Sequence, residues 1–152
     1  MRKLVTLLTA IGLLLPMPAV LAQSSTLDTV TQTKVLRVCI WPDYFGISYR
    51  DPKTRQLTGI DVDMAKALGK DLGVAVQFVD SSFARLIDDL LQDRCDIAMF
   101  AIGITPQRQE KLRFTSPHLA SDIYAITTKS NRRIRDWSDI DKAGTVVAVA
   151  KG

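Results

Sequence analysis

The sequence predicts an α/β protein with a mostly parallel sheet flanked by helices. Short runs of β-forming apolar residues recur along the chain, and segments with helical spacing separate them. Most of these runs are apolar nearly throughout, as in "VLRVCIW", which is typical of strands buried on both faces. Strands that alternate with helices favour a parallel sheet with helices on both sides.

The first 34 residues are not expected to join this sheet. A secretory signal peptide is predicted over 1–22, with cleavage after Ala22. The segment has a basic start, an apolar stretch over 4–15, two prolines, and small residues before the cleavage site. That apolar stretch is shorter than the ~20 residues that span a bilayer. Residues 23–34 are rich in Ser, Thr and Gln and are predicted to form a flexible lead-in.

The first strand is predicted over 35–41, followed by a loop over 42–49 and a turn over 51–56 between two short edge strands. Asp61 is predicted to cap a helix that runs through Lys70, with Gly69 or Gly73 at its end. A second strand follows over 74–79. Ser81 or Ser82 then caps a helix with apolar residues at 86, 87, 90 and 91.

A third buried strand is predicted over 95–102, and Thr105-Pro106 has the residues typical of a helix start. Further strands are predicted over 123–128 and 146–150, with a short helix over 137–141 between them. The apolar run 146–150 lies two residues from Gly152, although a strand of this kind needs a partner. We therefore expect this chain to be the N-terminal part of a longer protein, marginally stable or aggregation-prone when alone.

Composition gives a mild charge balance. The chain has 20 Lys and Arg against 16 Asp and Glu, and removing residues 1–22 leaves 18 basic residues against 16 acidic ones. Nucleic-acid binding would need clustered basic residues and is not expected; the basic segment 129–135 is interpreted as solvated surface. Cys39 and Cys95 could form a disulfide in an oxidising compartment or lie free in the core. Without a CxxC motif or a Cys/His cluster, no metal or other cofactor is expected.

Ligands of parallel α/β sheets bind beyond the carboxyl ends of the strands, where the strand order reverses. Residues 41–49, 80–83 and 100–108 follow the first three predicted strands and should meet there. Arg108 lies on the first turns of a helix in this region, close to the N–H groups of 103–105. A guanidinium and backbone N–H groups together favour a carboxylate ligand. Arg108 could equally be an exposed cation paired with Glu110.

Three segments resemble bacterial extracellular solute-binding proteins of family 3, the periplasmic amino-acid-binding components of ABC importers. They are "GIDVDMAKAL", "DIAMFAIGITPQR" and "FTSP", and the resemblance covers residues 35–152. It implies a periplasmic-binding-protein-like fold of two lobes that close on a ligand. Residues 35–128 would form lobe one and residues 129–152 the start of lobe two, which is largely missing.

The resemblance also implies site residues. Arg108 matches the residue that binds the ligand carboxylate, and Tyr44 and Phe83 match aromatic residues that enclose the ligand. The backbone at Ala101 and Gly103 matches positions that hydrogen-bond it. Two further positions depart from the family pattern, Trp41 where some members carry an acid and Phe100 where small residues are usual. The half-site then lacks an ammonium partner, so we expect an apolar or aromatic carboxylate rather than Lys, Arg or His.

We expect a periplasmic monomer that captures a small carboxylate or amino acid and passes it to an inner-membrane ABC permease. The one histidine, His118, has no nucleophilic partner that would make a triad, and no enzymatic activity is expected. An alternative is an enzyme similar to the cyclohexadienyl (prephenate or arogenate) dehydratases, which share this scaffold and also resemble "DRCDIAMFAIGITPQRQ". Another is the input domain of a membrane sensor.

Overall fold

The computed structural model describes residues 25–151. The strands are β1 (Val35–Ile40), β2 (Asp43–Tyr44), β3 (Ser48–Arg50), β4 (Leu57–Thr58), β5 (Ala75–Asp80) and β6 (Ile97–Ala98). The helices are α1 (Thr26–Thr33), α2 (Ile60–Leu72), α3 (Leu86–Leu91), α4 (Pro106–Gln109) and α5 (Trp137–Ile140). Within residues 25–151, no helix combines the length and apolar character needed to cross a bilayer.

A parallel sheet of order β5–β1–β6 forms the centre of the fold. After β1 the chain forms β5 on one side of it and then β6 on the other side. The strand order therefore reverses at β1. An antiparallel sheet of order β2–β3–β4 follows β1 along the chain. The predicted α/β class with a parallel sheet and helices is confirmed over the described residues.

The core consists of two apolar clusters, one on each face of β1. Leu36, Val38 and Ile40 pack with Val30 of α1 and Ala65 of α2. On the other face Cys39 packs with residues of α3 and of the β6 region, namely Leu86, Cys95 and Phe100. The alternation of β1 side chains between two buried faces explains why the run is apolar nearly throughout.

Cys39 and Cys95 form a disulfide within the second cluster, with an Sγ–Sγ distance of 2.05 Å. The bridge joins β1 to the residues that lead into β6. A salt bridge between Arg37 and Asp96 lies beside it at 2.5 Å. The hydrogen bond to Asp96 raises the pKa of Arg37 above its usual value. Covalent and ionic links therefore fix the register of the short β6 strand against β1.

The N-terminal part differs from the prediction. Residues predicted to be a flexible lead-in form α1, because Ser25 and Asp28 make a reciprocal capping box and Val30 enters the core. The signal peptide predicted over 1–22 lies outside the described residues.

Helix α2 begins at Ile60 with Gly59 as its N-cap, and Asp61 is not the predicted cap. Gly59 has φ 134°, and a Cβ at that position would lie 2.2 Å from the Ile47 carbonyl oxygen. Only glycine tolerates this approach. The Asp61 side chain is consequently directed away from the helix N-terminus toward other partners.

The third predicted strand is shorter in the structure. Predicted over 95–102, it is limited to Ile97–Ala98, because Ala101 adopts a left-handed conformation with φ 49° and turns the chain out of the ladder.

The last two predicted strands are absent from the described residues. Segments 123–128 and 146–150 have the expected β-forming composition. Ile126 and Val146 are 98% and 93% exposed, and no described strand pairs with either segment. A strand needs a neighbour to satisfy its backbone groups, so composition alone does not produce one.

The disulfide should contribute strongly to stability. Replacing both cysteines by alanine removes a link across a sequence separation of 56 residues, and chain entropy predicts a loss of about 4 kcal/mol. Urea denaturation of the oxidised protein and of the Cys39→Ala/Cys95→Ala variant measures this difference. The reduced unsubstituted protein is the control and should unfold near the variant. Equal urea midpoints for the oxidised protein and the variant would contradict the bridge.

Candidate functional site

The carboxyl ends of β1, β5 and β6 bring three loops together, as the sequence predicted for a sheet of this order. Trp41 follows β1 directly, Tyr44 ends the short strand β2, and Phe83 comes from the segment after β5. Arg108 is on α4, which follows the β6 loop. The sheet topology thus positions side chains that are up to 67 residues apart in sequence.

The aromatic rings of this region form one contiguous group. Trp41 lies 5.4 Å from Tyr44 and 5.3 Å from Phe83, measured between ring centroids. Tyr44 and Phe83 lie 6.1 Å apart. All three are partly exposed, so the group offers an apolar surface bounded by aromatic faces and edges.

Phe100 was also predicted to contact the ligand, but unlike the three partly exposed aromatic residues it is buried. Its side chain is 0% exposed, within the cluster around the disulfide. Its ring packs against that of Phe83 at a centroid distance of 5.1 Å. Phe100 therefore supports Phe83 from the core side and has no surface available for a ligand in this conformation, because the apolar strand end is packed under the loop.

Arg108 lies over the ring of Phe83. Its guanidinium carbon is 5.6 Å from the Phe83 ring centroid, within cation–π range. Its Nη1 atom donates to the Gly103 carbonyl at 2.9 Å. Thr105 caps α4, and its hydroxyl accepts from the Arg108 N–H at 3.3 Å, as the Thr-Pro pair predicted. The guanidinium is therefore held at one corner, with its remaining N–H groups available to an acceptor.

The suggested alternative for Arg108, an ion pair with Glu110, is not found. Among residues 25–151, Arg108 forms no salt bridge. The backbone N–H groups of Gly103, Ile104 and Thr105 have no acceptor within the same range. This loop accordingly presents several hydrogen-bond donors around one cation, which suits an anionic group.

Two buried carboxylates hold the site loops. Asp89 accepts from the Ser81 hydroxyl at 2.7 Å, so Ser81 anchors the segment before Phe83 and does not cap α3 as predicted. Asp61 accepts from the Ala101 N–H at 2.6 Å. Asp61 was predicted to be a helix cap, and no partner was predicted for Asp89. The "GIDVD" spacing alone could not reveal their long-range partners.

A concave region of about 380 Å³ lies between α3 and α4. Phe83 and Arg108 line it, and so does Asp88, which the sequence placed on a solvated helix face. The other lining residues are Ala84, Ile87, Thr105 and Gln107. Trp41 and Tyr44 are not among them. Within residues 25–151, no group of three or more His, Cys, Asp or Glu residues is arranged to hold a metal ion.

Relatives of this chain include an enzyme. The chain is 36% identical over 152 residues to cyclohexadienyl dehydratase from Pseudomonas aeruginosa, covering 99% of this chain and 56% of that protein. The expectation from the sequence that this protein has no enzymatic activity is therefore wrong, because a similar protein is an enzyme. The chain spans about half the length of the curated relatives it matches.

Solved structures show the same pairing of enzyme and binding protein. An ancestral cyclohexadienyl dehydratase is 44% identical with a TM-score of 0.61, over 64% of this chain and 40% of that one. An ancestral cationic amino acid solute-binding protein is 42% identical with a TM-score of 0.60, over 62% of this chain and 41% of that one.

Residues 36–152 match the family described as bacterial extracellular solute-binding proteins, family 3. The match extends from β1 to the last residue and includes every site loop described above. The chain belongs to the family 3 bacterial extracellular solute-binding proteins.

Proposed function

We propose that this chain supplies the carboxylate-binding half of a two-lobed site for a small acid with an apolar ring. The observation that carries the proposal is the Arg108 guanidinium, fixed by the Gly103 carbonyl and lying 5.6 Å over the Phe83 ring. A carboxylate can take two parallel N–H bonds from a guanidinium. The ring of the same ligand can then lie against Trp41, Tyr44 and Phe83.

Residues 35–128 would form lobe one and residues 129–152 the start of lobe two. The buried residues that build the core all lie at or before Phe100. The later segments instead carry exposed apolar side chains, among them Ile123, Ile126, Val146 and Val149. Exposed apolar surface of this extent is typical of a face that a partner covers. The lobes would close around the ligand and shift an equilibrium between open and closed states.

The activity we propose for the whole protein is that of a cyclohexadienyl dehydratase. The support is the 36% identity to such an enzyme over 99% of this chain, together with an apolar aromatic half-site. Conversion of prephenate to phenylpyruvate expels the ring hydroxyl as water while the ring carboxylate leaves as CO2, and the departing hydroxyl needs a positioned acid. Asp61 is engaged with Ala101 and His118, and Asp88 is exposed. The acid would therefore come from lobe two, while Arg108 and the aromatic group hold the substrate.

Amino-acid capture for an ABC importer is the second candidate, favoured by the family itself and by the 42% identity to an ancestral amino acid solute-binding protein. In that case the protein would be a periplasmic monomer, exported by a signal peptide over 1–22, that delivers its ligand to an inner-membrane permease. The ammonium partner would then have to come from lobe two, because Trp41 occupies the position of an acid.

A turnover assay separates the two candidates. The whole protein incubated with prephenate should release phenylpyruvate, which absorbs strongly in alkali and is easily followed. The Arg108→Ala variant is the control and should show little turnover. Absence of phenylpyruvate, together with calorimetric binding of an amino acid, would contradict the dehydratase and support the transport role.

Substitution of Arg108 tests the carboxylate site of the dehydratase candidate. Arg108→Ala should weaken binding of phenylpyruvate by about 2 kcal/mol, or roughly 30-fold in Kd, because a charge-assisted hydrogen-bonded pair is lost. Arg108→Lys should recover only part of the affinity, since lysine cannot make two parallel bonds.

Arg113→Ala is the matched control for this test. It removes the guanidinium of an exposed residue five positions further along the chain. It should leave the Kd for phenylpyruvate and the melting temperature unchanged. Equal losses of affinity in the Arg108 and Arg113 variants would show that only net charge matters, and would contradict the proposed site.

A further inference from the structure

The Asp61 carboxylate is buried within the first turn of α2 and has partners only outside its own helix. Only 1% of the surface of Asp61 is exposed. One oxygen accepts from the Ala101 N–H at 2.6 Å, and the other lies 3.3 Å from Nε2 of His118. A buried carboxylate is costly unless hydrogen bonds or charges compensate it. A side chain in this position is therefore tied to a specific arrangement of the segments it contacts.

Ala101 is the residue that most needs such an anchor. Its φ of 49° lies in the left-handed region, which residues other than glycine, asparagine and aspartate seldom adopt. Strained backbone of this kind persists only where the surrounding structure determines it. The bond from the Ala101 N–H to a buried carboxylate is charge-assisted and joins residues 40 positions apart. It holds the chain at the point where β6 ends and the loop begins.

The anchored loop leads directly to Arg108. Gly103, two residues after Ala101, accepts from Nη1 of Arg108 at 2.9 Å. The position of that carbonyl depends on the turn at Ala101, and the direction of the guanidinium depends on the carbonyl. A continuous series of bonded groups thus connects Asp61, through Ala101 and Gly103, to the cation over Phe83.

We propose that Asp61 is a positioning residue for the carboxylate site: its hydrogen bond to Ala101 fixes the left-handed turn that aims the guanidinium of Arg108. This inference deepens the proposed function and rests on Arg108 as the ligand's partner. Asp61 acts through Ala101, because its two carboxylate oxygens already contact the Ala101 N–H and His118. Its contact with His118 ties the segment around residue 118 to the same carboxylate.

Two measurements on the whole protein test this role. Hydrogen–deuterium exchange of peptides covering 99–103 measures, without any ligand, how well the Asp61–Ala101 hydrogen bond protects this loop. The Kd for phenylpyruvate reads its effect on the site. In Asp61→Ala, exchange in 99–103 should accelerate, and the Kd should rise about tenfold, because the Ala101 N–H loses a charged acceptor. In Asp61→Asn both changes should be smaller, since the amide oxygen can still accept.

Asp63→Asn is the matched control. It removes a carboxylate from the same helix turn, but Asp63 is exposed and pairs only with Lys66 at 3.8 Å. Neither exchange in 99–103 nor the Kd should change. A second substitution, Ala101→Gly, should restore part of the affinity lost in Asp61→Ala, because glycine adopts positive φ without strain. A merely structural role for Asp61 predicts no such rescue.

Unchanged exchange in 99–103 and an unchanged Kd in Asp61→Ala would overturn the inference. If Asp61→Ala does not fold, Asp61→Asn is measured instead. Exchange and Kd values equal to those of the unsubstituted protein would then overturn the inference. No binding of phenylpyruvate by the unsubstituted protein would instead refute the proposed function, while the exchange data would still report on the anchor.

Discussion

The parallel pairing of β1 with a neighbour on each side is the constraint on which the rest of the structure depends. Because β1 is central, most of its side chains are apolar on both faces, and the two core clusters follow from this. The parallel direction of the three strands brings their carboxyl ends to one edge. The disulfide and the Arg37–Asp96 pair secure β6, whose two residues could provide little register by themselves.

Buried carboxylates then hold the irregular loops at that edge. Loops lack the repeated hydrogen bonds of helices and strands, so their positions depend on a few specific contacts. Asp89 anchors the segment after β5 through Ser81, and Asp61 anchors the loop after β6 through Ala101. Phe100 adds packing beneath Phe83. A ligand would thus meet a cation and rings whose positions are set before it arrives, which lowers the entropy cost of binding.

The sequence allowed the central part of the fold and its site edge to be predicted, because local patterns report local structure well. The apolar run of β1, the Thr105-Pro106 helix start and the loops after each strand are of this kind. Long-range partners left no local signal: Asp61 and Asp89 looked like ordinary helix acids, and Phe100 like a ligand contact. Residues 23–34 were predicted to be flexible from their polar composition, although Ser25 and Asp28 have the spacing of a capping box. Segments 123–128 and 146–150 have the composition of strands but no described neighbour. Composition alone cannot reveal whether a neighbouring strand is present.

In the proposed site, Arg108 binds the carboxylate of a small ring-bearing acid against the aromatic group. A crystal structure of the whole protein with bound phenylpyruvate would show whether this is so. We predict both carboxylate oxygens within roughly 3 Å of the Arg108 guanidinium, and the ligand ring against Trp41, Tyr44 and Phe83. A ligand whose carboxylate is bound by another cation, with Arg108 still directed only at Gly103, would contradict the claim.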